Sequence, residues 1–330
     1  MDSISHSEVI GRTWPARTMF FCALIAALPV AFAAPAPPPA EETVTADAGA
    51  AKPLERNYSF AADGSIEITN VRGSVTVTGT DQNAVTMSGS LGAGSRLAIE
   101  GSDHHLELRV ESEQQGGWFG NHGPASDTML VISVPHSASL KLDLVSADSK
   151  VSGIDGRSLD VDNVSGKVQL NSTAHAIEVD SVSGSVTLEA PKGGAVERAH
   201  LQTVSGDIRA TGVDGRVKLE TVSGSISYTA PTVAEFNAET VSGTVDASAA
   251  PAKNARMHVE TMSGHLRLNL PASLSARVTA ETFSGNIKTD FGTVSKTEFG
   301  PGSSLDARVG DGDARIETES FSGSIELRKQ

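Results

Sequence analysis

Leu219-Glu220-Thr221-Val222-Ser223-Gly224-Ser225-Ile226-Ser227 is the phrase whose repetition decides the fold. Close copies carry the motif glycines Gly166, Gly184, Gly206, Gly243, Gly264, Gly285 and Gly323, and a weaker copy, Val145-Ser146-Ala147, precedes them. Successive glycines are 18, 22, 18, 19, 21 and 21 residues apart, and the last step, from Gly285 to Gly323, is 38. A period near 20 residues marks a stacked-repeat architecture, in which one unit is too small to bury its own apolar face.

Numbering each copy from its glycine as zero exposes the strands. Position −7 holds Leu140, Leu159, Ile177, Ala199, Val217, Phe236, Met257, Val278 and Ile316, and position −5 is mostly Leu, Val or Ala. Position +2 holds Val168, Val186, Ile208, Ile226, Val245, Leu266, Ile287 and Ile325; position +4 includes Leu170, Leu188, Ala210, Tyr228, Ala247 and Leu268. Polar residues stand between, so each copy reads as two short strands with one face inward. The parity slips at −3/−2, where Thr and Val stand side by side, and that slip predicts a corner at which glycine allows close backbone approach. Pro191-Lys192-Gly193-Gly194, Val213-Asp214-Gly215, Pro251-Ala252-Lys253-Asn254 and Pro271-Ala272-Ser273 form the looser far corner.

These features predict an all-β fold, a β-solenoid with two short strands per coil of about 20 residues, like positions stacking ~4.8 Å apart. Right-handed crossovers are expected. A hairpin per repeat has the same period but pairs unlike positions. A left-handed hexapeptide helix needs its apolar-glycine signature three times per coil, and here it occurs once. Residues 136–330 hold the regular coils. Residues 54–135 alternate as well, in Ile66-Glu67-Ile68, Ser74-Val75-Thr76-Val77-Thr78, Leu106-Glu107-Leu108-Arg109-Val110 and Leu130-Val131-Ile132-Ser133-Val134, but irregularly, as a section capping the open end. Gly300-Pro301-Gly302 and Gly310-Asp311-Gly312 predict a hairpin closing the other end where a copy is missing.

Upstream, Arg12 and Arg17 lead into an apolar run from Met19 to Ala33 that ends Ala31-Phe32-Ala33, the pattern of a secretory signal peptide over residues 1–33. The run is shorter than the ~20 residues that span a bilayer, and Pro29 interrupts it, so no stable membrane span is expected after cleavage. Cys22, the single cysteine, lies within it, so no intramolecular disulfide is possible. The Pro/Ala-rich residues 34–53 read as an extended linker. A net charge of −14 argues against nucleic acid or an anionic membrane surface as partner.

Position −4 reads Asp143, Asp162, Asp180, Gln202, Glu220, Glu239, Glu260, Glu281 and Glu319, eight carboxylates in nine places. Stacked, they form an outward row in which neighbours repel by roughly 0.9 kcal/mol in bulk water. Either divalent cations such as calcium bridge the row, or hydroxyls, backbone NH groups and nearby Arg and Lys offset it. The Gly-Gly-x-Gly-x-Asp calcium repeat does not occur. Trp118 and Phe119, in a glycine-rich loop, either fold over strand ends or make a contact patch for a partner. No nucleotide-binding glycine pattern and no metal spacing among the nine histidines occurs, so no cofactor is expected. Ser at −1 repeats in every coil, whereas a nucleophile needs one special copy. Some β-helices cleave polysaccharides with acids in a groove, but aromatics make up only 4% of the chain, which leaves sugars without a stacking platform.

Gly73-Ser74-Val75-Thr76-Val77-Thr78-Gly79, Ile132-Ser133-Val134-Pro135, the Thr-Val-Ser-Gly series and Glu319-Ser320-Phe321-Ser322-Gly323-Ser324-Ile325 together resemble the bacterial putative-adhesin family known as domain of unknown function 4097, over about Leu54 to Gln330. The resemblance implies a β-solenoid of envelope-associated or secreted bacterial proteins with no catalytic residues to carry over. The late copies depart by using Met262, Phe283 and Phe321 for Val, which is expected to widen the core there. The expected function is a non-catalytic, exported interaction or adhesin-like module in the periplasm or at the cell surface, binding an envelope or surface protein or polysaccharide. The alternatives are a carbohydrate-active envelope enzyme and an accessory of envelope-stress signalling, the latter resting on family association alone.

Overall fold

The computed structural model describes residues 35–330 apart from residue 48 and residues 113–125, 193–195 and 297–300. The signal-peptide reading and the Trp118-Phe119 loop therefore lie outside the described residues. Among those described there is no helix, and hydrogen-bonded strands join into one large sheet.

The section before the regular copies comprises β1 (Glu41–Thr45), β2 (Lys52–Ser59), β3 (Ser65–Thr80), β4 (Ala84–Leu91), β5 (Ser95–Gly101), β6 (His105–Ser112) and β7 (Thr128–Pro135). The regular copies follow as β8 (Ser139–Ile154), β9 (Ser158–Ser165), β10 (Val168–Ser172), β11 (Ala176–Ser183), β12 (Val186–Glu189), β13 (Arg198–Ser205), β14 (Ile208–Thr211), β15 (Arg216–Ser223) and β16 (Ile226–Leu270). β17 (Ala276–Thr289), β18 (Ser295–Lys296), β19 (Ser303–Val309) and β20 (Ala314–Lys329) end the chain.

Like positions do pair. β9, β11, β13 and β15 form a parallel ladder in which Leu159, Ile177, Ala199 and Val217 stand in register, and β10, β12 and β14 form a second with Val168, Val186 and Ile208 in register. Parallel pairing of identical positions excludes the hairpin-per-repeat arrangement here. The side chains at −7, −5, +2 and +4 are buried in one continuous core. Its largest members are Tyr228 and Phe236, whose rings stack with centroids 4.5 Å apart. Tyr228 keeps its hydroxyl satisfied by donating to the Val213 carbonyl at 2.6 Å, and burial pushes its ionisation far above the ordinary tyrosine range.

The glycines are required by stacking. A Cβ on Gly224 would lie 2.0 Å from the Gly206 carbonyl oxygen, and one on Gly184, Gly243 or Gly264 would lie 1.9, 1.8 or 1.7 Å from the oxygen of the preceding motif glycine. Only a residue without Cβ lets the corners nest this closely.

Four features differ from the sequence expectation. First, the parity slip lies later than −3/−2. Thr203, Thr221 and Thr240 at −3 point inward and are buried, the valines at −2 point outward, and the phase changes across Ser-Gly. Second, the capping section hides further copies of the phrase. β3 pairs with β8 along both halves, Ile66 beside Leu140 and Gly73 beside Ala147, while β6 and β7 pair in parallel with its two halves. Third, part of the linker is structured: β1 pairs antiparallel with β5, Val44 and Ala46 are buried, and Ala36 bridges to Tyr58. Alternation in Glu42-Thr43-Val44-Thr45 outweighs the preceding prolines. Fourth, the closing β19 does run antiparallel, against β17, but the last copy does not end the stack. β20 lies between β16 and β17, Met257 beside Ile316 and Val278 beside Ile316 on its other edge.

Candidate functional site: an outward apolar ladder beside a carboxylate row

On the outer face of the first ladder, positions −6, −4 and −2 form three parallel columns. The −2 column is Val145, Val164, Val182, Val204, Val222, Val241, Met262, Phe321 and Phe283 in order of stacking, and every member is between 43% and 64% exposed. Among the described residues the only other exposed large apolar side chains are Met129 and Val131. The expectation that Met262, Phe283 and Phe321 widen the core is thus overturned. They stand in solvent, because the corner falls after −2 and leaves that position on the outer parity. An apolar residue at a regularly apolar position reads as interior, and nothing in the pattern marks it as outward.

The carboxylates of the −4 column lie alongside, and the −3 side chains form the floor between. Shallow hollows of about 510, 300 and 530 Å³ follow one another along this strip, lined by −4, −3 and −2 side chains. Thr221 donates to the Gly206 carbonyl at 3.3 Å and Asn163 to that of Gly166 at 3.1 Å, which ties the floor to the corner.

Much of the row is offset from the −6 column. Lys141 meets Asp143 at 3.1 Å and Glu67 at 3.7 Å, Lys218 meets Glu220 at 2.9 Å, and His200 meets Glu220 at 2.8 Å. Asn237 donates to Glu239 at 3.0 Å, and His258 approaches Glu260 to 3.9 Å. Burial raises the Glu220 ionisation, but the hydrogen bonds from His200 and Lys218 outweigh it and hold the carboxyl below its usual range. Asp162 goes the other way: burial, then a hydrogen bond with Asp143, raises its carboxyl. Asp180, Glu281 and Glu319 have no side-chain hydrogen bond or ion pair with a described residue. Among the described residues no group of three or more His, Cys, Asp or Glu side chains is placed to hold a metal ion.

The motif glycines Gly166, Gly184, Gly206, Gly224, Gly243, Gly264, Gly285 and Gly323 sit at the corner bordering this strip and act only through the backbone. One serine-histidine-aspartate contact occurs elsewhere. His136 Nδ1 lies 3.1 Å from Ser137 Oγ and 2.7 Å from Asp155. Both contacts use the same ring nitrogen, so the imidazole cannot relay a proton from Ser137 to Asp155, and its Nε2 stands 3.6 Å from Asp81, outside hydrogen-bond distance.

Residues 63–328 match the family model described as Toastrack DUF4097. The chain belongs to this family. The Toastrack match takes in both hidden copies and all the regular ones. Three solved structures, each described as a putative adhesin, are similar to it. That from Bacteroides fragilis is 12% identical, covering 84% of this chain and 97% of its own, with a TM-score of 0.39. Those from Parabacteroides merdae and Parabacteroides distasonis are 10% and 12% identical, each covering 86% of this chain and 99% and 100% of their own, with TM-scores of 0.39 and 0.40. The chain matches none of the curated proteins.

Proposed function

We propose that this Toastrack chain is a non-catalytic, exported interaction module, acting in the periplasm or at the cell surface, whose −2 column is the binding surface. In this reading the two parallel ladders are the walls of a β-solenoid, and each phrase is one coil of two strands. The observation that carries it is the continuous column of nine exposed apolar side chains. Apolar surface of that extent is rare on a soluble protein without a partner to cover it. The repeated serine supports binding over catalysis, since a reaction needs one singular group and Ser at −1 recurs in every copy.

The partner class is an envelope or surface protein or a polysaccharide. The test is co-sedimentation of the purified chain with envelope fractions, comparing wild type with a Val204→Ser, Val222→Ser, Val241→Ser triple variant. The expected result is loss of co-sedimentation with an unchanged melting temperature. Retention of binding by the folded triple variant refutes the assignment. Fractionation of cells carrying the full chain tests export, and a purely cytoplasmic protein would refute that part.

A further inference from the structure

The strip is not uniform at its far end. Because β20 lies between β16 and β17, the column finishes Met262, Phe321, Phe283, and the two phenyl rings stack face to face with centroids 5.0 Å apart and planes 7° from parallel. They are 58% and 64% exposed. The antiparallel register that closes the stack runs from Ala276 opposite Val309 to Thr282 opposite Ser303 and stops one residue short of Phe283. Beside the rings run Glu260, Glu319 and Glu281. The first is approached only by His258, at 3.9 Å, and the other two have no cationic partner among the described residues. The hollow of about 530 Å³ that holds them is also lined by Ser304, Thr282 and Ser320. The last two are more than nine-tenths buried, with hydroxyls that meet no partner.

We infer that this end of the ladder is a recognition site for a guanidinium group on an apolar stem, that is, an arginine side chain. The inference rests on the proposed binding role of the column and names the chemistry of what its last three rungs take. An open phenyl face attracts a cation through its quadrupole, and a planar guanidinium stacks on a ring while its edge donates two hydrogen bonds to one carboxylate. Glu281 and Glu319 supply carboxylates without counter-charges among the described residues. An anion is repelled by the three glutamates. The valine rungs lack the ring, and Lys141, Lys218 and His200 occupy Asp143 and Glu220 among the carboxylates beside them, so the site is confined to this end.

The experiment is calorimetric titration of the full chain with three probes: the peptide Arg-Leu-Arg-Leu-Arg, the same peptide with citrulline at each arginine, and N-acetyl-arginine amide. The expected result is binding of the arginine peptide that weakens with added salt and is at least about tenfold tighter than that of the isosteric, uncharged citrulline peptide. Phe283→Ser and Glu281→Gln each weaken it about fivefold or more, while Val131→Ser, exposed but outside the column, leaves it unchanged. Melting curves confirm that the variants are folded, as expected for exposed positions. A peptide much tighter than the single amide assigns the site to an arginine of a polypeptide; equal affinity assigns it to a small guanidine. Equal binding of the citrulline peptide, or arginine binding indifferent to both Phe283→Ser and Glu281→Gln, overturns the inference. Neither result bears on the valine column, whose test keeps Phe283 and reads envelope co-sedimentation.

Discussion

Replacing Gly224 by alanine tests the stacking argument where it is sharpest. The new Cβ would lie 2.0 Å from the Gly206 carbonyl oxygen, against 3.4 Å for the inner limit of ordinary contact, so the two corners must part by about 1.4 Å. Two hydrogen bonds cross that gap on either side of Gly224. The Gly206 NH donates to the Ser223 carbonyl at 3.1 Å and the Ile208 NH to the Ser225 carbonyl at 2.9 Å. Stretching both beyond 4 Å removes them, at about 1 kcal/mol each, and leaves the groups poorly solvated, for a total of roughly 2–4 kcal/mol. Repeat arrays do not unfold as one unit, so the loss is best read locally. Hydrogen exchange at the Gly206 and Ile208 amides should speed up roughly 30- to 700-fold, because each 1.4 kcal/mol is a factor of ten. Gly49→Ala is the control, since nothing lies within 4 Å of a Cβ there. If the Gly224→Ala protein protects those two amides to within a factor of three of wild type, the close-approach argument is wrong.

Val222→Ser should change stability by under about 0.5 kcal/mol, whereas Leu219→Ala, three residues away but fully buried, should cost about 2–5 kcal/mol in denaturant melts; equal costs would mean that −2 does not face outward. Asp162→Asn should raise the melting temperature at pH 7. The Asp162 carboxyl is raised above its usual 3.8 by burial and by Asp143, so its ionised form costs stability above the folded value, and that cost vanishes as pH falls below 3.8. The advantage of the variant should shrink to nothing over the same range, and an advantage that persists at pH 3 would contradict the assignment. Glu220→Gln should destabilise at pH 7. The wild-type carboxylate, held low by His200 and Lys218, contributes stability above its unfolded value that is lost as pH falls through the lower folded one, so the two proteins should melt alike in strong acid. Deleting residues 313–330 should leave a folded protein in which β17 pairs directly with β16, Val278 replacing Ile316 beside Met257. Mass-spectrometric cross-linking across Arg256 and Arg277 positions substituted by lysine would detect it, and wholesale unfolding would count against it.

The phrase made most of the sheet legible because it repeats two kinds of information at once. Alternation at −7, −5, +2 and +4 names the inward face, and the glycine carried by every copy but the one at Ala147 names the corner. What failed to show was decided by contacts between copies. Val222 and Leu219 are both apolar, and only the position of the bend, after the −2 residue, puts one in solvent and the other in the core. The β3 copy is hidden in the sequence because Thr69 stands where the other copies carry an acid or Gln202 and Arg72 where they carry serine, although its Gly73 lies as close to the Thr128 carbonyl as the later glycines lie to theirs. The carboxylate row was plain in the sequence, but its counter-charges were not. Lys141, His200 and Lys218 reach it from a column whose residue type changes from copy to copy.

The placement of β20 follows from the same redundancy. The copies can lie against one another in register because Gly meets Gly or, at one copy, Ala147, and apolar residues meet apolar at the buried positions. Chain order alone therefore does not fix spatial order, and the last copy can settle between two earlier ones. What singles out the observed order is the fate of β17's far edge. β19 covers it with seven antiparallel pairs, Ala276 with Val309 through Thr282 with Ser303, and then leads through Gly310 and Gly312, both in the left-handed region, back towards the interior of the stack. With that edge taken, the remaining unpaired edges are those of β16 and the near side of β17, and β20 fills both at once. Both phenylalanines of the ladder are thereby brought into contact from positions 38 residues apart, so the feature that distinguishes the end of the strip is a consequence of how the fold seals its own edge.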